Sequence, residues 1–397
     1  MALKGTSNNK EKQMYKIILS TTLLMIMNIV INASTLKNSF KNIKLDGYVR
    51  GAYETHHVEN DKNYNDGAIG GKLHIQTAPF YNITLGASFY SSNAFGNSDN
   101  RGLVPFRGEE ANGYALLGEV YIQMIIDKTL FKVGRQEIET PFAQVDDIGM
   151  VPNTFEAYIL ENKDLENTTI FLGQIQKMAG VDASVVDSFT RINGTKNMQT
   201  LGLHYEGIEN IGIDAWYYRL QDAEVDSITY TEARYTTLLY KLDVEIALQY
   251  AKQTYSIDKD AFIYGVSTSF SYESTGLSFG FAYNKAVGNA AFSGFGGGPF
   301  FSNSEYLIVD NAGKNASQTW IGAALDASVF GAEGLTFSLG YATLRNETKD
   351  KATELDFVSS YEVDKHIEIH VIASTLKGSK LGEDNAKHLR IFMNSTF

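Results

Sequence analysis

The sequence contains no cysteine. Disulfides, thiol chemistry and Cys-ligated zinc or iron–sulfur centres are therefore excluded. Proline is scarce, with 5 in 397 residues, and Trp occurs only twice, so collagen-like and proline-rich extended architectures are excluded too. Basic residues are outnumbered, 34 against 46 acidic ones, giving a formal net charge of −12 and a pI near 5.1. That balance rules against nucleic acid as the main partner, because phosphate binding needs a basic surface. Long apolar runs are also missing. Only Ile17–Ile31 stands out, and a membrane-spanning helix needs ~20 apolar residues. What abounds is Tyr (23), Phe (23) and Gly (35), at a mean hydropathy of −0.18. Such a chain is too rich in aromatics to be disordered.

The apolar run follows Lys4, Lys10, Lys12 and Lys16 and precedes Asn32-Ala33-Ser34. A basic stretch, a short apolar stretch and a small residue at the cut make a signal peptide over residues 1–33, with cleavage expected after Ala33. An uncleaved membrane anchor is the alternative, and Met14 is a second candidate start. Removing residues 1–33 takes away four Lys and one Glu, so the formal charge moves from −12 to −15. The expected product is an exported acidic protein with one domain over residues 34–397.

Beyond Leu45 the pattern has period two. Leu335, Phe337, Leu339 and Tyr341 alternate with Thr336, Ser338, Gly340 and Ala342, and Leu277, Phe279, Phe281 and Tyr283 do the same with small or polar partners. Alternation alone fits a soluble sandwich or a membrane barrel, since both bury one face of each strand in something apolar. Connection lengths separate the two. Roughly 18 strands of about 8–13 residues can be drawn, starting near Leu45, Gly67, Ile83, Gly113, Thr129, Thr154, Thr168, Met198, Ile211, Ile228, Leu242, Ala261, Gly276, Gln318, Gly334, Ala352, His366 and Ala386. Long connections (Ser91–Asn112, Glu137–Asn153, Lys177–Asn197, Ala286–Ser317) interleave with tight ones (Asp127-Lys128, Gly207–Asn210, Lys241, Glu273–Thr275, Phe330–Glu333). A transmembrane antiparallel β-barrel with short periplasmic turns and long extracellular loops has that asymmetry, and a sandwich has no reason for it. The chain also ends on a strand closing in Phe397, the kind of terminus that the barrel-assembly machinery of bacterial outer membranes reads.

Lys132–Phe142 reads KVGRQEIETPF, and Asp146–Tyr158 reads DDIGMVPNTFEAY. This pair of segments resembles the OprD-like family of outer-membrane porins, in which a Gly-Arg-Gln strand end leads to Thr-Pro and then to a Pro-Asn/Gln-Thr-Phe-Glu stretch. Gly297–Glu305, GGPFFSNSE, is similar to a loop of that family's epsilonproteobacterial branch. Ala157 departs from the pattern, where many members carry Gly. The resemblance implies a barrel of about 18 strands with loops folded inward, passing small hydrophilic nutrients such as amino acids and carboxylates.

From the residues, the loop after Gly134-Arg135-Gln136 carries Glu137, Glu139, Asp146 and Asp147, stiffened by Pro141 and Pro152. Folded inward, it would set a negative constriction. Arg135 has two readings: a local partner of those carboxylates, or a lining residue. Strand phase turns Lys72 with His74, Lys132, Glu232 with Arg234, Asp243 with Glu245, Glu368 and Arg390 toward the lumen, because their alternate neighbours are apolar. An ionised Arg or Lys facing lipid at mid-depth costs ~2–4 kcal/mol. A simple solvated lumen wall is the plain alternative for each of them.

His56-His57 beside Glu59-Asn60-Asp61 forms at most a weak cation site, and Gly294–Phe300 lacks the Lys-Ser/Thr of a phosphate loop and reads as a flexible outer loop. Neither a nucleophile elbow nor a metal cluster is evident, so no cofactor and no enzymatic activity are expected. The expectation is an outer-membrane porin for passive diffusion. A substrate-specific channel is the first alternative, and a structural or adhesin barrel is the rival of another class. Its partners would be outer-membrane lipid, small hydrophilic solutes and the assembly machinery, and a homotrimer and a monomer remain equally open.

Overall fold

The computed structural model describes residues 33–397 apart from 60–62, 97, 100–101, 104–112, 222–223, 379–380 and 382–384. The expected signal segment, Ala33 excepted, lies outside the described residues. A nine-residue helix, α1 (Ala33–Lys41), precedes the first strand. It is too short to cross a bilayer, and no described helix can. Strands follow as β1 (Lys44–Val58), β2 (Tyr64–Gln76), β3 (Ile83–Ala94), β4 (Gly113–Ile126), β5 (Thr129–Gln136) and β6 (Thr154–Asn162). Next come β7 (Thr168–Ala179), the two-residue β8 (Thr190–Arg191), β9 (Met198–Ile208), β10 (Ile211–Arg219), β11 (Val225–Leu239), β12 (Leu242–Tyr255) and β13 (Ala261–Tyr272). The series ends with β14 (Leu277–Gly288), β15 (Ser317–Asp326), β16 (Leu335–Arg345), β17 (Lys351–Glu362), β18 (Ile367–Lys377) and β19 (Ala386–Thr396).

Each strand pairs antiparallel with the next, β7 pairs with β9 past the small β8, and β1 pairs with β19. Leaving out β8, the result is a closed barrel of 18 strands, in which no edge is left unpaired. The strand starts read from the sequence all fall within three residues of those observed. Long connections (95–112, 137–153, 180–197, 289–316) share one rim with the shorter 59–63, 220–224, 256–260, 346–350 and 378–385, and the tight turns share the other. Both chain ends lie at the tight-turn rim, where Phe397 exchanges backbone hydrogen bonds with Gly47 (N to O 3.1 and 3.3 Å) across the β1–β19 seam.

Alternation sorts the side chains. Leu248, Phe279, Ile321, Leu339 and Leu355 are exposed on the outer wall, as a lipid-facing band requires. Their alternate neighbours point inward, where the apolar core is built between the inner wall and the folded loops: Phe142, Phe155, Tyr218, Tyr230, Ile263 and Phe300 belong to one cluster, and Leu307, Leu344 and Leu376 to another. Four register shifts interrupt the ladders. At Gly118 the pairing jumps from Phe89–Leu117 to Ser88–Glu119, which turns Glu119 inward; the others lie between Glu156 and Ala157, between Ile211 and Ile213, and between Val225 and Ser227.

Candidate functional site

Two loops fold into the bore from the long-loop rim, and neighbouring wall residues grip them. Arg50 on β1 is buried and forms a two-pronged pair with Asp147 of loop 137–153 (Nη1–Oδ1 2.6 Å, Nη2–Oδ2 2.7 Å). Two further donors go to the Gly149 carbonyl at 2.5 Å and to Asn394 Oδ1 at 2.7 Å, so four of its five N–H groups are matched. A buried guanidinium needs such partners, because each unmatched donor would cost desolvation energy. Arg390, on the adjacent β19, donates to Glu305 of loop 289–316 (2.6 Å) and to the Ile148 carbonyl (3.3 Å), so it touches both loops. Its guanidinium lies 5.3 Å from the Tyr306 ring. One strand further on, Lys72 of β2 pairs with Glu137 (2.8 Å) and Glu119 (3.2 Å). Tyr90 adds a hydrogen bond to Glu137 (2.8 Å), and Lys132 sits over the Tyr121 ring at 4.0 Å.

The loops also join each other. Ala143 and Phe295 form a parallel bridge, with Gln144 N donating to Phe295 O (2.9 Å) and Phe295 N donating to Phe142 O (3.0 Å). Gly294 makes this approach possible: its φ is +90°, and a Cβ there would lie 2.5 Å from the Phe142 carbonyl oxygen. Phe142 then packs edge-on against Tyr218, Tyr230 and Phe300 (centroids 5.4, 5.7 and 6.1 Å). The glycine-rich stretch is therefore an inward clasp, which corrects its reading as a flexible outer loop. The far side of loop 289–316 is held by the buried Glu354 of β17, whose carboxylate accepts from Ser304 Oγ (2.6 Å), Leu307 N (2.7 Å) and Tyr306 N (2.9 Å).

Within loop 137–153, Asp146 has no basic partner at ion-pair distance among the described residues. Burial, then the facing Asp182, then Glu139, push its carboxyl up to about 7. Asp182 is itself fixed by Asn153 Nδ2 (2.7 Å), and Glu139 accepts from Val145 N (3.3 Å). Glu305 is raised by burial against the opposing pull of Arg390. Across the bore, Arg234 pairs with Glu232 (2.7 Å) and Glu245 (3.0 Å), and Tyr230 donates to Glu232 (2.6 Å).

Of the residues singled out from the sequence, Lys72, Glu137, Asp147 and Arg390 meet in the gripping contacts; Glu139 and Asp146 lie on the same loop, and Arg234 sits on the opposite wall. Arg135 does not join them. It donates to Leu117 O (3.2 Å) and lies 4.3 Å from the Phe189 ring, in phase with the outward Val133. The reason is simple: Lys132 and Arg135 are three residues apart on β5, and strict alternation cannot turn both inward. His56 and His57 likewise part company. His56 is buried between Tyr64 and Tyr306 and touches His388, whereas His57 is exposed on the outer face, so the two histidines do not face one another's partners; Asn60 and Asp61 of the expected site lie outside the described residues. Sequence reasoning missed Arg50, Glu119, Glu305 and Glu354. Arg50 was legible, since it alternates with the outward Val49 and Tyr53; Glu119 was hidden by the bulge.

A closed antiparallel barrel whose bore is narrowed by inward loops defines a channel of the outer-membrane type. Residues 83–397 match the family model described as outer membrane porin, OprD family. The chain belongs to the OprD family of porins, and it is an integral outer-membrane channel rather than an enzyme. Among solved structures it is similar to OccK9 (OpdG) of Pseudomonas aeruginosa (TM-score 0.78, 16% identity, 91% of this chain and 99% of that one). It is also similar to OpdK of the same organism, solved with vanillate (0.78, 14%, 90% and 99%), and to OccAB4 of Acinetobacter baumannii (0.74, 16%, 89% and 98%). No protein of curated function matches the chain in sequence.

Proposed function

We propose that the space between loops 137–153 and 289–316 and the wall of Arg50, Arg390 and Lys72 is the constriction of a passive channel for small hydrophilic solutes, with a mild preference for cations. One observation carries this reading. Arg50, Arg390 and Lys72 are each neutralised by a carboxylate, whereas Glu139, Asp146 and Asp182 have no ion-pair partner among the described residues. Low-dielectric walls focus such uncompensated charge. The test is the reversal potential of single channels in a KCl gradient: cation preference in the native channel, reduced in Asp146→Asn, is expected. Anion preference in the native channel would hand selectivity to the basic wall.

A second reading, a substrate-specific channel for carboxylates or amino acids, is favoured by the Arg390 Nε, which is buried without an acceptor. OpdK was solved with vanillate, an aromatic carboxylate. The long-loop rim faces the cell exterior and the tight turns the periplasm in this proposal, after export on a signal peptide cleaved behind Ala33. Phe397 at the seam serves as the assembly signal, and the GGPFFSNSE stretch places the chain in the epsilonproteobacterial-type branch. Whether the barrel acts as a monomer or a homotrimer is decided by its mass in native electrophoresis.

A further inference from the structure

Below the folded loops, the inward positions of β13 to β16 are small: Ser267 and Ser269, Ser278 and Gly280, Gly322 and Ala324, Ser338 and Gly340. Trp320 is the one large exception. Gly280, Gly322 and Gly340 are direct partners across three successive strands, and the indole lies on them. A Cβ at Gly280 would sit 2.8 Å from Trp320 Cζ3, one at Gly340 2.8 Å from Nε1, and one at Gly322 would collide with the benzo ring. The ring therefore spans from β14 to β16, flat against the wall. Glycine inside strands weakens a sheet and marks places where something else approaches the backbone closely. Among the described residues no second aromatic ring stacks on this indole.

A cavity of ≈ 370 Å³ opens at the same place, lined by Trp320, Phe301 of the folded loop, Ser267, Ser278, Arg234 and Glu245. An apolar cavity of about 150 Å³ already admits benzene, so one ring with a polar substituent has room. The charge beside it is lopsided. One guanidinium, Arg234, is shared by two carboxylates, Glu232 and Glu245. An indole face is electron-rich and is the strongest aromatic partner for a cation.

We propose that this recess is a binding site for planar organic cations in transit, with the solute's ring on the Trp320 indole and its positive group toward Glu245. It rests on the bore being open, as proposed above. Benzamidinium is the probe, with benzoate and neutral benzamide as comparators. In single-channel recordings benzamidinium is expected to give brief, concentration-dependent blocks, which Trp320→Leu weakens about tenfold and Trp320→Phe weakens less. Glu245→Gln should weaken block by benzamidinium and leave benzamide unaffected. A second readout does not need conduction. Trp216 is the only other tryptophan, so in Trp216→Phe protein the fluorescence reports Trp320 alone, and benzamidinium should quench it saturably in detergent. Heat-modifiable migration certifies that each variant is closed. A native protein that passes no current but shows saturable quenching would refute the open bore and keep the site. Block unchanged in Trp320→Leu, or benzoate acting as strongly as benzamidinium, would overturn the site itself.

Discussion

Replacing Glu354 by Ala should loosen the constriction from a residue that lines neither arginine pair. The buried carboxylate accepts three hydrogen bonds from residues 304–307, at 2.6, 2.7 and 2.9 Å. Bonds to a charged acceptor contribute ~1.5–3 kcal/mol each, but the freed donors regain water from the bore. The net loss is therefore set nearer the ~1–3 kcal/mol of leaving a buried donor without its acceptor. Outside residues 303–308 the loop keeps its own anchors, Asn284 Oδ1 accepting from Ser302 N (2.8 Å) and the bridge of Ala143 with Phe295, whereas the segment itself is left with Arg390 on Glu305 and Gln318 Nε2 on the Leu307 carbonyl (2.7 Å). Residues 303–308 should thus loosen while the clasp at Phe295 holds. Single-channel conductance is expected to rise and become noisier, and protease is expected to cut within 303–308 in folded barrels. Glu354→Gln, which keeps one acceptor oxygen but brings an amide donor against backbone N–H groups, should fall between. Native conductance together with native protease resistance in Glu354→Ala would refute the claim that this carboxylate holds the loop.

The proton on Asp146 gives a second prediction. With its carboxyl raised to about 7, cation preference should increase as pH rises from about 6 to about 8, and Asp146→Asn should flatten the profile. Linkage has the opposite sign: a raised acid favours the folded loop fully below about 3.8, and that contribution is lost as pH climbs through about 7. A heat-modification midpoint rising over that interval would contradict it. Deleting Phe397 removes the last backbone pair to Gly47, so less closed, fast-migrating barrel should reach the outer membrane. Native levels would show that the residue is dispensable. Single cysteines placed at Glu347 and at Asn210, in a chain with no cysteine of its own, should label from outside intact cells at the first position only; the reverse pattern would invert the proposed orientation.

Much of the barrel was legible because period-two alternation survives in almost every strand. Loop asymmetry then separated a membrane barrel from a sandwich. The starts of β2 and β11 were the least exact, at Tyr64 and Val225 rather than Gly67 and Ile228, since polar residues at a rim look like loop. Site residues on regular strands, such as Lys72 and Arg390, followed from phase. Glu119 did not, because the extra residue at Gly118 reverses the phase of everything after it in β4. Arg135 was drawn in by a shared motif with the acidic loop, although the inward Lys132 three residues earlier already turned it outward. Loop contacts such as Glu354 with Ser304, or Ala143 with Phe295, leave no periodic trace; they depend on backbone paths that only the folded chain defines.

The seam between first and last strands carries a consequence for biogenesis. Arg50 and Arg390 stand on β1 and β19, so the basic side of the passage is divided between the two ends of the chain. The Arg50–Asn394 hydrogen bond joins residues 344 positions apart, and contacts so distant in sequence are the costliest to form early. A nascent sheet can carry both loops and every acidic group of the passage, yet it cannot bring its two arginines side by side until the ends zip together. The two loops are therefore clamped to the wall only at ring closure, in the same event that seals it against lipid, and a half-assembled barrel is unsealed and loosely gripped at once.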